Sequence, residues 1–175
     1  MIAEILLSRT KAEAVENVLD FFLAKYENFW DIYATTEAEL AKDLFSLGLE
    51  HNRASVLKKA AETFLNQTLP IGFNDLIFLP GCGDYCANAV ACFFHKERRI
   101  IYDTNTKKFV RRVFGIEGKT EVEYILNKLL PNENYVEFNY HLLDFGSLIC
   151  GSKRGDCKKC PLRDICEENK DAKKN

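Results

Sequence analysis

Four cysteines fall within 17 residues near the end of the chain: Cys150, Cys157, Cys160 and Cys166, spaced C-x6-C-x2-C-x5-C. No other feature constrains the fold as much. Four thiolates on one short segment close it into a loop around a soft metal centre. The donor set suits tetrahedral zinc or a cubane iron–sulfur cluster, and the spacing does not choose between them. No basic-then-apolar leader opens the chain. No stretch nears the roughly 18 consecutive apolar residues of a membrane helix. We therefore expect a cytoplasmic protein, nucleoid-associated if prokaryotic, with no membrane contact. A reducing compartment disfavours a disulfide reading of the cysteines.

At 175 residues the chain predicts one domain, or two small lobes sharing a core. Hydrophobic residues at 47% exclude a disordered or collagen-like chain. The 13 Phe and 7 Tyr predict a bulky, well-filled interior. A net charge of -2 excludes an overall cationic coat. It leaves room for a local basic stripe that contacts phosphates.

The apolar periodicity is helical throughout, and an all-α fold is predicted. Thr10-Lys-Ala-Glu13 reads as a capping box before Val15, Val18, Leu19 and Phe22. Thr36-Glu-Ala-Glu39 reads as a second, before Leu40 and Leu44, with Leu47-Gly48-Leu49 as the stop. Further helices are expected over 54–64, 84–95 and 106–114, and at Val122, Ile125, Leu126 and Leu129 until Pro131. A last long helix, 136–150, feeds the cysteine loop. No strand alternation persists. Between two helical segments, Leu79-Pro80-Gly81-Cys82-Gly83 supplies two glycines one residue apart. Such a turn leaves backbone N–H groups open to a phosphate oxygen at a helix start.

Taken together, these pieces resemble the helix-hairpin-helix DNA glycosylases. Residues 79–85 look like the family's hairpin. Asp103, in Ile101-Tyr102-Asp103-Thr104-Asn105, lies 18 residues beyond Tyr85. The cysteine loop resembles the [4Fe-4S] loop of the endonuclease III branch. The resemblance implies two helical lobes: roughly 10–115 with the hairpin, and 116–175 plus the N-terminus as a cluster lobe with its loop at 150–166. It further implies a [4Fe-4S] cofactor on the four cysteines, with zinc as the alternative. The implied partner is double-stranded DNA with a mismatched or damaged base, bound by a monomer. The implied chemistry is hydrolysis of the N-glycosidic bond of a flipped-out base.

The resemblance also assigns roles. Position 85 is a lysine in endonuclease III, whose amine attacks the sugar and then cuts the strand. A phenol cannot form that Schiff base, so a monofunctional enzyme is expected. Lys107 and Lys108 read as a solvated helix face or phosphate contacts. Tyr85 and Glu4 match both the mismatch-specific thymine glycosylases and the adenine glycosylases that act opposite oxidised guanine. Stretches 5–10, 43–48 and 142–145 look nearer to the thymine enzymes. The adenine enzymes also carry a further C-terminal domain, which a chain ending nine residues after Cys166 is expected to lack. The family's usual first helix is likewise expected to be missing before Glu4.

Asp103 is the expected catalytic carboxylate, with helix N-capping as its ordinary role. Glu4 is expected at the base's polar edge or as a proton donor, and Tyr85 at the pocket wall. Arg9 and Leu49 align with positions that fill the gap left by the flipped nucleotide. His51 follows in place to read the orphaned guanine. Gly81, Gly83 and Asn105 are expected at the backbone, and Lys153 and Arg154 at phosphates beside Lys158, Lys159 and Arg163. Cys82 and Cys86 stand where Val and Thr are common. Two other classes remain: a catalytically silent DNA-binding module, and a zinc-stapled interaction protein.

Overall fold

Hydrogen-bond chemistry at the helix ends sets most of the architecture. The computed structural model describes residues 1–7, 10–66, 72–151 and 157–171. Its first helices are α1 (Ile2–Leu7), α2 (Ala12–Lys25), α3 (Phe29–Ala34) and α4 (Glu37–Asp43), then a 3-10 turn (Phe45–Leu47). There follow α5 (Glu50–Asn66), α6 (Phe73–Leu76), α7 (Asp84–Phe93), α8 (Thr104–Phe114) and α9 (Lys119–Leu129). Last come α10 (Tyr135–Asp144), a π-helical stretch (Phe145–Cys150) and α11 (Glu167–Asp171). The fold is all-α, with no strand among the described residues. Among them, no helix is long and apolar enough to cross a membrane.

The second capping box forms as expected. Thr36 Oγ1 accepts from the Glu39 amide at 3.2 Å, and Glu39 Oε2 accepts from the Thr36 amide at 3.3 Å. An unexpected box starts α3, where Asn28 Oδ1 accepts from Trp30 and Asp31 and Asp31 Oδ2 accepts from Asn28. The box expected at Thr10 does not form. Lys11 precedes α2 without a side-chain cap, and Thr10 Oγ1 accepts from the guanidinium of Arg53 instead. A charged donor outcompetes a backbone N–H for one hydroxyl.

Contacts divide the chain into two units, Met1–Ala91 and Cys92–Asn175, parting inside α7, whereas the lobes drawn from sequence meet near residue 115. In the first unit α1 packs on α2 and α5, and α3 and α4 pack on α5. Leu6, Phe22, Ile32, Leu40, Leu44 and Leu57 fill its core. Each large apolar side chain so buried contributes about 1.5–3 kcal/mol. A smaller cluster under the hairpin holds Leu76, Leu79, Cys82, Cys86, Ala87 and Ala91. In the second unit α8 packs on α9, α10, α11 and the π-helical stretch. Phe109, Val110, Val122, Leu126 and Leu142 form its core, with Cys150 and Cys166 packed against it.

The helix expected over 136–150 is continuous but changes pitch at Phe145. The Gly151 amide donates to the Gly146 carbonyl at 3.1 Å, five residues back. Gly146 is buried against the start of α8, where a Cβ would stand 3.1 Å from the Thr106 nitrogen and 3.2 Å from the Asn105 carbonyl carbon. A side chain there would push the α8 backbone back by a few tenths of an ångström. Such bulges recur where a helix is bent to suit a site.

Candidate active site

In the second unit, three residues before Thr106, stands Asp103. Its Oδ1 accepts from the Thr106 amide at 2.7 Å, which caps α8 and fixes the carboxylate. The segment leading to it is held by Asn139, which is fully buried on α10. Asn139 Oδ1 accepts from the Ile101 amide at 2.7 Å, while Nδ2 donates to the carbonyls of Arg99 at 2.9 Å and Tyr135 at 2.7 Å. A carboxamide can do this because it carries both donors and an acceptor. Asn139 therefore ties an irregular strand-like run to α10 just ahead of Asp103. Gly146 supports the same place from the π-helical side. Asn105 lies in the first turn of α8, partly buried.

In the first unit, Gly48 and Leu49 both take left-handed backbone angles, φ 68° and 54°. Leu49 is 52% exposed despite being apolar, and His51 is exposed in the first turn of α5. Left-handed leucine is strained, and such strain persists only where neighbours enforce it. Arg53, 3% exposed, is the enforcer. Its Nε donates to the Gly48 carbonyl at 2.9 Å and its Nη1 to the Leu6 carbonyl at 2.7 Å, with Thr10 as a third partner. One guanidinium thus joins the end of α1 to the turn that presents Leu49. Burial lowers its pKa without discharging it.

The hairpin behaves as a tight turn. The Cys82 amide donates to the Leu79 carbonyl at 3.0 Å, and the Gly83 carbonyl accepts from Ala87 at 2.9 Å to start α7. Gly81 has φ 77°, and a Cβ there would stand 2.2 Å from Val56 Cγ1. Gly83 faces open space. Tyr85, in the first turn of α7, is partly buried.

Glu4 on α1 is partly buried, and its Oε2 has no hydrogen-bond partner among the described residues. Burial raises its carboxyl above the usual range, against a smaller lowering by the N-terminal ammonium.

Cys150 and Cys166 converge on Arg112, whose Nη1 donates to the Cys150 carbonyl at 3.0 Å and lies 3.5 Å from Cys150 Sγ. Cys166 Sγ donates to the Arg112 carbonyl at 3.4 Å. A cation beside an apolar-backed thiol pair suits a thiolate-bound centre in charge. Among the described residues, no three potential metal ligands are gathered as a metal site. Cys157 is exposed, and Cys160 is partly so. Arg9, Lys153 and Arg154 lie outside the described residues; Lys158, Lys159 and Arg163 are exposed. Of the basic residues on α8, Lys107 Nζ lies 4.9 Å from the Tyr102 ring centre, and Arg112 also pairs with Glu168 at 3.0 Å.

Sequence reasoning missed Arg53 and Gly146 as supports. A buried arginine looks like one more charge on a helix, and Gly146 sits inside a clean helical pattern.

The HhH-GPD superfamily base excision DNA repair protein model matches residues 2–132. A thymine/uracil-DNA glycosylase from Methanothermobacter thermautotrophicus is 33% identical over 177 residues, covering 95% of this chain and 79% of that protein. The solved structure of a thermostable thymine-DNA glycosylase superposes with a TM-score of 0.90 at 32% identity, covering 97% of this chain and 82% of that one. A non-covalent endonuclease III–DNA complex also gives a TM-score of 0.90, at 27% identity, covering 99% and 84%. By the match of its family model over most of its length and by its relatives, the chain belongs to the HhH-GPD superfamily of base excision DNA repair proteins.

Proposed function

We propose that this chain is a monofunctional DNA glycosylase that hydrolyses the N-glycosidic bond of thymine or uracil mispaired with guanine. The observation that carries the reading is Asp103, a carboxylate fixed by its own helix cap at the expected spacing from the hairpin. The choice of base follows relatives named for thymine and uracil, which match nearly the whole chain.

Departure of the base leaves positive charge on the deoxyribose. A preorganised carboxylate lowers that state electrostatically and accepts the proton of the attacking water. Asp103 does both. Glu4, kept protonable by burial, meets the polar edge of the extruded base or gives it a proton. Tyr85 walls the pocket and offers no amine for a Schiff base, so the product is an intact strand with an abasic site. Leu49, with Arg9, fills the vacated stack, and His51 faces the orphaned guanine. Backbone N–H groups at Gly81 and Gly83 hold a phosphate, as do Lys153 and Arg154, and Asn105 keeps the local backbone.

Cys150, Cys157, Cys160 and Cys166 would hold a [4Fe-4S] cluster, which when bound braces the basic loop and is redox-capable. Anaerobic purification should yield a brown protein with four irons per chain, and zinc in its place would reject the cluster.

The test is excision from end-labelled duplexes bearing G:T, G:U, or adenine opposite oxidised guanine. Alkali-dependent cleavage at T or U supports the reading. Cleavage at adenine alone would move the chain to the adenine enzymes, and no excision with retained binding would make it a silent DNA-binding module.

A further inference from the structure

Two thiols sit inside the DNA-binding hairpin itself. Cys82 Sγ and Cys86 Sγ lie 2.9 Å apart, both buried, one just before the cap of α7 and the other in its first turn. A disulfide needs a sulfur separation of about 2.05 Å, so the pair is less than an ångström from bonding distance. Cys82 lies between two glycines, which gives the backbone freedom for that movement. Both cysteines are covered, at 2% and 5% exposed, so an oxidant reaches them when the glycine turn opens. Gly81 and Gly83 are exposed, and Gly83 has open space where a side chain would stand.

We propose that Cys82 and Cys86 form a peroxide-reactive dithiol that closes into an intrahelical-start disulfide across the hairpin. The contact between them differentiates the two thiols: it lowers Cys82, while the same contact and burial raise Cys86. Cys82, on the turn beside the open space at Gly83, is assigned as the attacking thiolate, and Cys86, within the first turn of α7, as the resolving thiol. In the first step the Cys82 thiolate attacks one peroxide oxygen. The O–O bond breaks, hydroxide leaves and takes a proton to become water, and Cys82 becomes a sulfenic acid. In the second step the Cys86 sulfur attacks Cys82 Sγ. The S–O bond breaks, and the departing oxygen leaves as water with the Cys86 proton. Two thiols lose two electrons, and one peroxide becomes two waters. The resulting bond pins the Gly81–Gly83 turn to α7.

The experiment treats the purified full chain with one equivalent of hydrogen peroxide, then alkylates it in denaturant and maps its peptides. The four thiols of the cysteine loop fall on other peptides, and the peroxide is then raised stepwise so that what they or a cluster consume does not limit the readout. The proposal expects the peptide holding Cys82 and Cys86 to lose two hydrogens, to escape alkylation at both positions, and to recover both on adding dithiothreitol. In Cys86→Ser, Cys82 should instead be captured by dimedone as a sulfenic acid. Should that variant not fold, phenylarsine oxide on the wild-type chain gives the second readout. It should bridge the two sulfurs with loss of water and protect both. Full alkylation after peroxide, a bond running to Cys92, or no protection by phenylarsine oxide would overturn the proposal.

Discussion

Arg53 Nε donates to the Gly48 carbonyl at 2.9 Å, and that bond holds the turn where the exposed Leu49 adopts left-handed backbone angles. The same guanidinium satisfies the Leu6 carbonyl at the end of α1. Arg53→Ala removes the donor from the carbonyl of buried Leu6 and from that of Gly48 in the exposed turn. Each orphaned group costs about 1–3 kcal/mol, so we expect a loss of about 3 kcal/mol in chemical unfolding. Arg53→Lys should recover little, because an ammonium cannot span the fork of partners. If Leu49 plugs the stack, a folded Arg53 variant should also show weaker binding to a mismatched duplex. Unchanged stability in Arg53→Ala would remove this account of the turn.

Asn139 should be similarly intolerant. Asn139→Asp keeps the acceptor for Ile101 but replaces the donors to Arg99 and Tyr135 with lone pairs facing carbonyls. A buried charge without its donors is the worse outcome, and a fall of roughly 3 kcal/mol is expected near neutral pH. Asn139→Leu should cost less than Asn139→Asp. The order of the two in thermal unfolding checks the argument.

Gly146→Ala tests the support behind α8. The added methyl would meet backbone at 3.1 Å, which cannot give way as a flexible side chain would. Overpacking of this kind costs about 1–3 kcal/mol. Excision should fall further than stability alone explains, because the displaced backbone carries the Asp103 cap. An Ala variant as stable and as active as wild type would contradict the placement.

Glu4 gives a pH dependence of definite sign. Burial raises its folded-state pKa above the ordinary 4.5. The folded state therefore holds the proton more tightly than the unfolded one. The stability this brings is complete below 4.5 and is lost as pH rises through the raised value. Glu4→Gln should remove that slope and be more stable than wild type near neutral pH. If Glu4 also serves the departing base as an acid, excision should decline over the same window in wild type and flatten in the variant. A raised carboxylate pKa seen by NMR together with an unchanged pH–rate profile would separate burial from catalysis.

Much of this was legible before the structure. The helices that bury a stripe every three or four residues, such as α8 and α9, announce themselves. α1 does not, since Ile2, Ala3, Ile5, Leu6 and Leu7 leave no polar face to set a period. It is a helix because residues far along the chain bury it and Arg53 completes its last carbonyls. Thr10 misled for the same reason: a local capping pattern lost its hydroxyl to a partner 43 residues away. The start of α5 moved from Ala54 to Glu50 because Gly48 and Leu49 reverse the chain within two residues. Asp103 was expected through the family resemblance and its distance from the hairpin, but Asn139 and Gly146 act through tertiary contacts that no window of sequence contains.

The central claim, that Asp103 supplies the charge for base excision, is tested most directly by Asp103→Asn. Asparagine caps helices as well as aspartate, so the bond to the Thr106 amide survives and only the charge is removed. Single-turnover excision from a G:U duplex should fall by about a thousandfold or more, while duplex affinity and melting temperature stay near wild type. Asp103→Ala, which loses the cap as well, should additionally cost about 1 kcal/mol of stability. Excision by Asp103→Asn at the wild-type rate would contradict the account and leave Asp103 as a helix cap.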